Sequence, residues 1–367
     1  MRLTVRRFLK KIFLALLPQV KRLQDQRDEL AQKLAQSPSS CQAVLAQYQA
    51  YVDTLAPVLQ YRQAHFEARG YIAPDAAVPV ARAWPEEDKG ISYKDKLLGT
   101  LDLSNGKGAE IGPLNIPITS KRKCNVLYVD HLDTNGVREE YPTYPGVVEI
   151  DRPIVNGSLK DTLLSDAPLD YIVGSQVFEH VPNPIRWLQE IAAVLRTGGL
   201  LALSLPDRRL TFDFLREETR AADIVAAYLE DAIVPNIRCV YDHHSLVSFV
   251  SFPCGNLQPV FPHDIVSGRG AVKPKMMTKE HMPFVHRAKE GEYLDVHAWV
   301  FTPPSFLLAM AQLAADGFLP FRLRQFYPTN PNSPDRGSSS FTMVLEKVAS
   351  DTSVAEIRRS YLNPLGS

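Results

Sequence analysis

Acidic residues and histidines follow several apolar runs of this chain, at places where a strand would end. Glu110 and Gly112 follow one run, Asp130 ends the next, and His180 lies just beyond a later one. An acid about this far beyond a glycine turn accepts hydrogen bonds from ribose hydroxyls in nucleotide-type sites. The glycine lets the backbone approach such a ligand closely. The spacing favours a nucleoside-binding site, although a helix cap or a solvated strand end would also explain Asp130.

Histidines supply the second chemical signal. An imidazole titrates near neutrality, so His180, His243 and His297 are candidate general bases. His243 lies in a Tyr-Asp-His-His run, and His297 follows Asp295 by two positions. These groups could converge as acids and bases or as a metal site, but their spacing matches no metal motif, and we predict none. For His180, a hydrogen bond that holds the loop is the competing interpretation.

Strands and helices must position these residues, and the two patterns alternate from about residue 91. Short apolar runs predict strands over 108–111, 125–129, 147–150, 169–173, 200–205, 321–327 and 341–347. Helical spacing predicts helices over 93–101, 184–195, 210–231 and 302–316. Asn183 is the expected cap of the second helix, with Pro184 in its first turn. Strands that alternate with helices predict a parallel sheet.

The stretch from Leu169 to Asp207, read with Glu110, Gly112 and Asp130, resembles the core of the seven-stranded S-adenosylmethionine (SAM) dependent methyltransferases. The resemblance covers about residues 91–348. It implies an α/β, Rossmann-like fold: a seven-stranded, mostly parallel sheet with a closing antiparallel hairpin. SAM is the cofactor that it implies.

The resemblance also assigns the cofactor side of the site. The residues that it implies are Glu110, Gly112, Asp130, Asp151, Ser175 and Gln176. Glu110 would help to hold the methionine end, Asp130 the ribose and Asp151 the adenine amino group, with Asp133 as a substitute for Asp130 if the register shifts. Pro113 and Asn115 stand where the family has further glycines, so the turn departs from the family pattern.

The acceptor side follows from the same resemblance. The catalytic candidates are His180, Asp207, His243 and His297. Residues 207–296 form an insertion after the fifth strand, which suits a lid or acceptor pocket. Arg208, Arg209 and Arg216 could clamp an acidic acceptor, or they could form a solvated helix face.

Bulk composition excludes some functions. Lys plus Arg and Asp plus Glu are both 41, so the formal net charge is zero, which argues against a nucleic-acid partner. The four cysteines have no CxxC spacing, which excludes a zinc knuckle and fits a reducing cytoplasm. No apolar run is long enough to span a bilayer.

The remaining segments flank this domain. Residues 1–22 are basic and apolar at helical spacing, which fits either a membrane-surface helix or one packed on protein. Residues 23–69 show heptad-like spacing, typical of a helical hairpin or short coiled coil that could form a homo-oligomer or pack within one chain. Residues 70–90 are a Pro-containing linker, and residues 349–367 are a C-terminal tail.

The leading hypothesis is a SAM-dependent methyltransferase that modifies an O or N atom of a small-molecule or glycan acceptor. It would be cytoplasmic, and peripheral at the inner face of the membrane if residues 1–22 bind lipid. The alternative is an inactive methyltransferase-like binding or scaffold protein. A nicotinamide-dependent oxidoreductase is the third option, but the chain lacks a full GxGxxG turn.

Overall fold

The computed structural model describes most of the chain beyond residue 90. The described residues are 91–251, 257–259, 271–274, 279–330, 333 and 335–365. The predicted helix over 1–22, the coiled coil over 23–69 and the linker over 70–90 lie outside them. Within these ranges, no helix combines the length and the apolar character needed to cross a bilayer.

Ten strands occur in the described residues. They are β1 (Lys107–Ile111), β2 (Asn125–Asp130), β3 (Arg152–Pro153), β4 (Leu169–Ser175), β5 (Leu195–Pro206), β6 (Ser248–Ser251), β7 (Leu257–Pro259), β8 (Ala271–Pro274), β9 (Phe321–Tyr327) and β10 (Ser340–Lys347). Seven of them form one sheet in the order β3-β2-β1-β4-β5-β10-β9, and the other three form a separate sheet in the order β7-β6-β8.

The seven-stranded sheet is mostly parallel and closes with reversed strands. Neighbours from β3 to β5 pair in parallel, whereas β10 runs antiparallel to both β5 and β9. This arrangement confirms the predicted α/β class, including the closing antiparallel pair. The chain places β2 and β3 on one side of β1 and β4 and β5 on the other. In open α/β sheets, ligands bind outside the carboxyl ends of the strands at such a switch point, which here lies between β1 and β4.

Helices flank these strands along the same part of the chain. They are α1 (Tyr93–Leu98), α2 (Thr134–Glu140), α3 (Leu159–Leu163), α4 (Pro184–Val194), α5 (Ala221–Leu229), α6 (Ile237–Leu246), α7 (Met282–Lys289), α8 (Pro303–Ala315) and α9 (Val354–Leu362). The expected cap of α4 is confirmed, since the Asn183 side chain accepts a hydrogen bond from the Arg186 amide and Pro184 occupies the first turn. The helix predicted over 210–231 is confined to α5.

The sequence predicted the third strand over 147–150, but these residues do not pair with the sheet. The strand that pairs with β2 is β3, which is only two residues long. The apolar side chains of Val147 and Ile150 pack with Val137 of α2 in a small cluster of their own. Their hydrophobicity therefore serves side-chain packing outside the sheet. Pro153, which cannot donate to a ladder, is accommodated because β3 is an edge strand.

The core has two parts, one on each side of the sheet. Consecutive residues of β4 alternate between them, with Ile172 in the larger cluster and Tyr171 and Val173 in the smaller one. This alternation is what strand geometry requires of a sheet covered on both faces. In the larger cluster, the Phe178 ring packs edge-on against Trp187 of α4 and Phe306 of α8.

The chain between β5 and α8 forms the expected insertion. It holds α5, α6, the three-stranded sheet and α7, and it returns through an irregular segment, residues 292–300. That segment rejoins the main sheet where Phe301 forms a parallel bridge with Asp207. The insertion therefore begins and ends beside the carboxyl end of β5.

The predicted C-terminal tail is part of the fold as far as it is described. Its helix α9 contributes Ile357 and Tyr361 to the larger core cluster. The Tyr361 side chain is fully buried, and its hydroxyl donates to the Phe321 carbonyl of β9 at 3.1 Å. The helix thus covers the outer strand of the closing pair.

Gly108 of β1 leaves room for an aromatic ring. A Cβ at this position would lie 2.2 Å from a carbon of the Tyr171 ring, which is itself 1% exposed. We expect Gly108→Ala to lower the free energy of unfolding by about 1–3 kcal/mol, the usual cost of overpacking a core. Urea denaturation measures this change. Adding Tyr171→Leu should recover part of the loss, and an unaltered midpoint for Gly108→Ala would contradict the packing described.

Candidate functional site

The turn after β1 is built around Gly112. Its φ is +67°, in the region that favours glycine, and its amide donates to the Val129 carbonyl of β2 at 2.9 Å. A Cβ here would lie 2.8 Å from Val177 Cγ2. Both the backbone conformation and the neighbouring valine therefore require glycine. Asp130 follows Val129, so the turn and the predicted ribose acid lie on adjacent strands.

Glu110 holds the loop that follows this turn. One carboxylate oxygen accepts from the Ile118 amide and the other from the Thr119 amide, each at 2.7 Å, and the residue is 2% exposed. Burial raises the pKa of Glu110, and the hydrogen bonds from Thr119 oppose that shift. The sequence assigned Glu110 to the methionine end of the cofactor, whereas its contacts give it a role in shaping the loop at 113–119.

Asp130, at the end of β2, is paired with the next residue. Its Oδ1 accepts from the His131 amide at 2.8 Å and lies 2.7 Å from His131 Nδ1, while the other ring nitrogen lies 2.5 Å from Glu140. The hydrogen bond to Asp130 raises the pKa of His131 to about 9, although burial works against it. Asp133, the predicted substitute, caps α2 instead by accepting from the Gly136 amide.

His131 is therefore expected to stay protonated at neutral pH. Its NMR titration should give a pKa of about 9, and Asp130→Asn should move it toward the usual 6.5. Since the folded pKa exceeds the unfolded one, the pair stabilises the fold fully below pH 6.5 and loses that contribution as pH rises through about 9. A wild-type pKa near 6.5 would contradict the pairing.

The other predicted cofactor residues are engaged at neighbouring strand ends. Asp151 accepts from the Tyr128 amide at 2.7 Å and pairs with Lys121 Nζ at 2.5 Å. Ser175 Oγ lies 2.7 Å from the Tyr93 hydroxyl. Gln176 has a φ of +58°, and its amide group donates to Ser204 Oγ of β5 at 3.1 Å. Ser175 and Gln176 thus lie at the edge of the sheet predicted for the cofactor, whereas Asp151 braces β2.

A short helical turn at Phe178–His180 follows β4 and carries an unusual acid. Glu179 is 0% exposed, and neither of its carboxylate oxygens has a hydrogen-bond partner in the described part of the chain. Burial raises the pKa of this carboxyl group. The Glu179 carbonyl accepts from the Ala298 amide at 2.7 Å, which ties the end of the insertion to this turn.

The structure brings His180 and His297, both catalytic candidates from the sequence, into contact. Their ring centroids are 4.8 Å apart and nearly perpendicular. Each ring has a carboxylate at its Nδ1, since His180 lies 2.7 Å from Asp295 and His297 lies 2.5 Å from Asp213. Asp295 accepts a hydrogen bond from the Tyr141 hydroxyl at 2.9 Å, whereas its contact with His180 is an ion pair without hydrogen-bond geometry. Two carboxylate–histidine pairs therefore face each other across the end of β4.

Asp213 is the most deeply buried of these partners. It is 1% exposed and pairs with Arg216 at 2.8 Å as well as with His297. Burial alone would raise the pKa of Asp213, but the charges of His297 and Arg216 hold it well below its ordinary range. In the same way, and against burial, His180 lowers the pKa of Asp295 to about 2. Both acids are therefore ionised at neutral pH.

The other two catalytic candidates lie at the margin of this cluster or outside it. The His243 ring centroid is 6.1 Å from that of His297, and burial lowers the pKa of His243 to about 3, which keeps it neutral. Asp207 is fully buried and binds the guanidinium of Arg209 through both oxygens. Its contacts support a structural role at the end of β5 in place of the catalytic role predicted.

The arginine clamp predicted from Arg208, Arg209 and Arg216 is not assembled. Arg209 pairs with Asp207, Arg216 with Asp213, and Arg208 donates to the Phe214 carbonyl at 2.6 Å. A groove of about 480 Å³ lies within the insertion beside Arg216 and Trp299, lined by residues of α5, α6 and the returning segment. Its lining includes none of the predicted cofactor residues.

Sequence reasoning missed Asp213 and the loop-holding contacts of Glu110. Asp213 and His297 are 84 positions apart, so no local spacing announces their pairing. The only available signal was the i,i+3 spacing of Asp213 and Arg216, which is common on exposed helix faces.

Comparison with known proteins finds similarity over the part of the chain that holds the strand ends described above. Residues 100–250 match the family model described as a methyltransferase domain. A protein of Mycobacterium tuberculosis, named a probable S-adenosylmethionine-dependent methyltransferase, is 30% identical over 127 residues, which are 32% of this chain and 44% of the relative. The chain therefore spans less than half the length of this relative, and it resembles the SAM-dependent methyltransferases as the sequence indicated.

Two further matches are broader but less informative. An uncharacterised 37.1 kDa protein encoded in a Streptomyces fradiae transposon is 28% identical over 192 residues, covering 48% of this chain and 53% of the relative. The crystal structure of a SAM-dependent methyltransferase from Aquifex aeolicus covers 70% of this chain and 91% of its own, with 12% identity and a TM-score of 0.32. So low a score says nothing about function.

Proposed function

Because the chain carries a methyltransferase domain, we propose that it transfers a methyl group from SAM to an O or N atom of a small-molecule or glycan acceptor. The observation that carries the proposal is the placement of Gly112 and Asp130 at the carboxyl ends of adjacent parallel strands, at the crevice that open α/β sheets use for ligands. The relatives, named for SAM-dependent methyl transfer, support the same cofactor.

The chain's own residues fit the demands of an in-line displacement. Bound SAM supplies the reactive methyl carbon, and the protein must hold it in line with the acceptor. The turn at Gly112 and the carboxylate of Asp130 would bind the nucleoside end. With Nδ1 of each ring beside a carboxylate, His180 and His297 would use the opposite nitrogen to orient an acceptor hydroxyl or amine. A ring in its neutral form would also accept the acceptor's proton.

Calorimetric titration with SAM tests the proposal. The intact chain should bind SAM, and Asp130→Ala should weaken that binding by about tenfold or more, because the ribose hydroxyls lose a charged acceptor. Asp133→Ala is the matched control, since this nearby acid only caps α2. If the unmodified chain binds no SAM, the scaffold alternative replaces the enzyme; equal losses in both variants would remove Asp130 from the site.

We also propose that residues 1–22 bind a membrane surface, and this proposal rests on their sequence alone. Seven basic side chains and no acid occur there, beside apolar residues at helical spacing, which suits an acidic lipid surface. Flotation with anionic liposomes should recover the full chain, and deletion of residues 1–22 should abolish recovery. Equal flotation of both proteins would end the membrane proposal and leave the methyltransferase proposal intact.

A further inference from the structure

The carboxyl group of Glu179 is buried without a hydrogen bond to any described residue. It is completely shielded from solvent, and neither oxygen has a hydrogen-bond partner among the residues that the structure describes. An ionised carboxylate in such a place is costly unless a proton or a cation neutralises it. The Ala298 amide donates to the Glu179 carbonyl, which fixes the backbone of this turn against the returning segment.

Two imidazoles lie beside this carboxylate. Glu179, His180 and His297 each have a potential metal-binding atom, and these three atoms lie within 4.8 Å of one another. Asp295 and Asp213 stand at the Nδ1 atoms of the two rings, which leaves Nε2 as the nitrogen for a ligand. A carboxylate behind the second ring nitrogen is the usual support of a metal-binding histidine.

We propose that Glu179, His180 and His297 form a binding site for one divalent transition-metal ion of the zinc class. Two imidazoles and one carboxylate are a donor set that binds catalytic zinc with a fourth position open. Bonds of about 2.0–2.2 Å would bring the donors to roughly 3.4 Å from one another, so binding draws the side chains together. The two nitrogens disfavour Mg²⁺ and Ca²⁺, which prefer oxygen ligands.

The site joins separate parts of the chain. Glu179 and His180 follow β4, whereas His297 lies in the segment that returns from the insertion. An ion would neutralise the buried carboxylate and fasten the insertion to the main sheet. The role of the open position rests on the proposed methyl transfer: it would hold an acceptor oxygen near His180. The histidines would then act as ligands in place of proton acceptors.

Cobalt titration of the full chain, first stripped with a chelator, tests the site directly. We expect a visible d–d band that saturates at one Co²⁺ per chain and is displaced by Zn²⁺. Glu179→Gln and His297→Asn should lose the saturable band, and Asp213→Asn should weaken affinity by about 10–100-fold, as loss of a supporting carboxylate does. His286→Asn, which removes an exposed histidine on α7, should bind like the wild type.

Circular dichroism shows whether each variant is folded, and Asp295→Asn provides a second supporting variant if Asp213→Asn is not. Absence of a saturable band in the intact chain, or an unchanged band in folded Glu179→Gln, would overturn the metal site. SAM titration of the same proteins separates the two proposals. A chain that binds SAM but no Co²⁺ refutes only the metal site, and one that binds Co²⁺ but no SAM refutes only the methyltransferase.

Discussion

Gly112→Ala is expected to weaken SAM binding by about a hundredfold, equivalent to about 2.7 kcal/mol. The left-handed conformation at φ +67° costs a side-chain-bearing residue about 1–2 kcal/mol. The added Cβ would also lie 2.8 Å from Val177, a β-branched side chain with little freedom to turn away. Relief of that contact would shift the turn that we propose lies against the cofactor. Calorimetry measures the affinity.

Gly157→Ala is the matched control for this change. Its φ is +69°, so the backbone strain is nearly the same, but nothing lies within 4 Å of the added Cβ. We expect a small loss of stability in this variant and unaltered SAM affinity. If Gly112→Ala binds SAM as well as Gly157→Ala does, the turn after β1 is not part of the cofactor site.

Asp213→Ala is expected to lower the free energy of unfolding by about 3–5 kcal/mol. Removing one partner of a buried ion pair leaves the other charge uncompensated, and Arg216 is only 4% exposed. His297 loses its partner at the same time. Urea denaturation in the presence of a chelator measures this change without a contribution from bound metal.

Two comparisons identify the cause of the loss. Asp351→Ala removes an exposed acid and should change stability by less than about 0.5 kcal/mol. The double variant Asp213→Leu/Arg216→Met should be more stable than Asp213→Ala, since apolar residues of similar size often replace a buried pair without loss. A double variant no more stable than the single one would show that the Arg216 charge is not responsible.

The sheet was predictable because its central strands are buried on both faces. Such strands are mostly apolar, as Leu169–Ser175 is apart from Asp170 and Ser175, and their alternation with helices implies parallel pairing. Prediction failed where an apolar run had another use. Val147 and Ile150 are hydrophobic because they pack against α2, and nothing local distinguishes that from a strand.

The site was predictable only in part, for a related reason. Gly112 and Asp130 lie at strand ends, so a parallel sheet places them at the same edge, and the pairing of β1 with β2 brings them side by side. His180 and His297 meet because the insertion returns to β4, a long-range contact that spacing does not encode. The partners of Glu110 and Asp207 depend on loop geometry, so the contacts that these two acids make within the chain could not be predicted from spacing.

A crystal structure of the full chain with S-adenosylhomocysteine tests the central claim most directly. We expect the nucleoside against the turn at Gly112, with its ribose hydroxyls on Asp130 and its sulfur directed toward the His180 and His297 pair. The account would be contradicted if the ligand occupied another cavity, such as the groove beside Arg216, and left the ends of β1 and β2 empty.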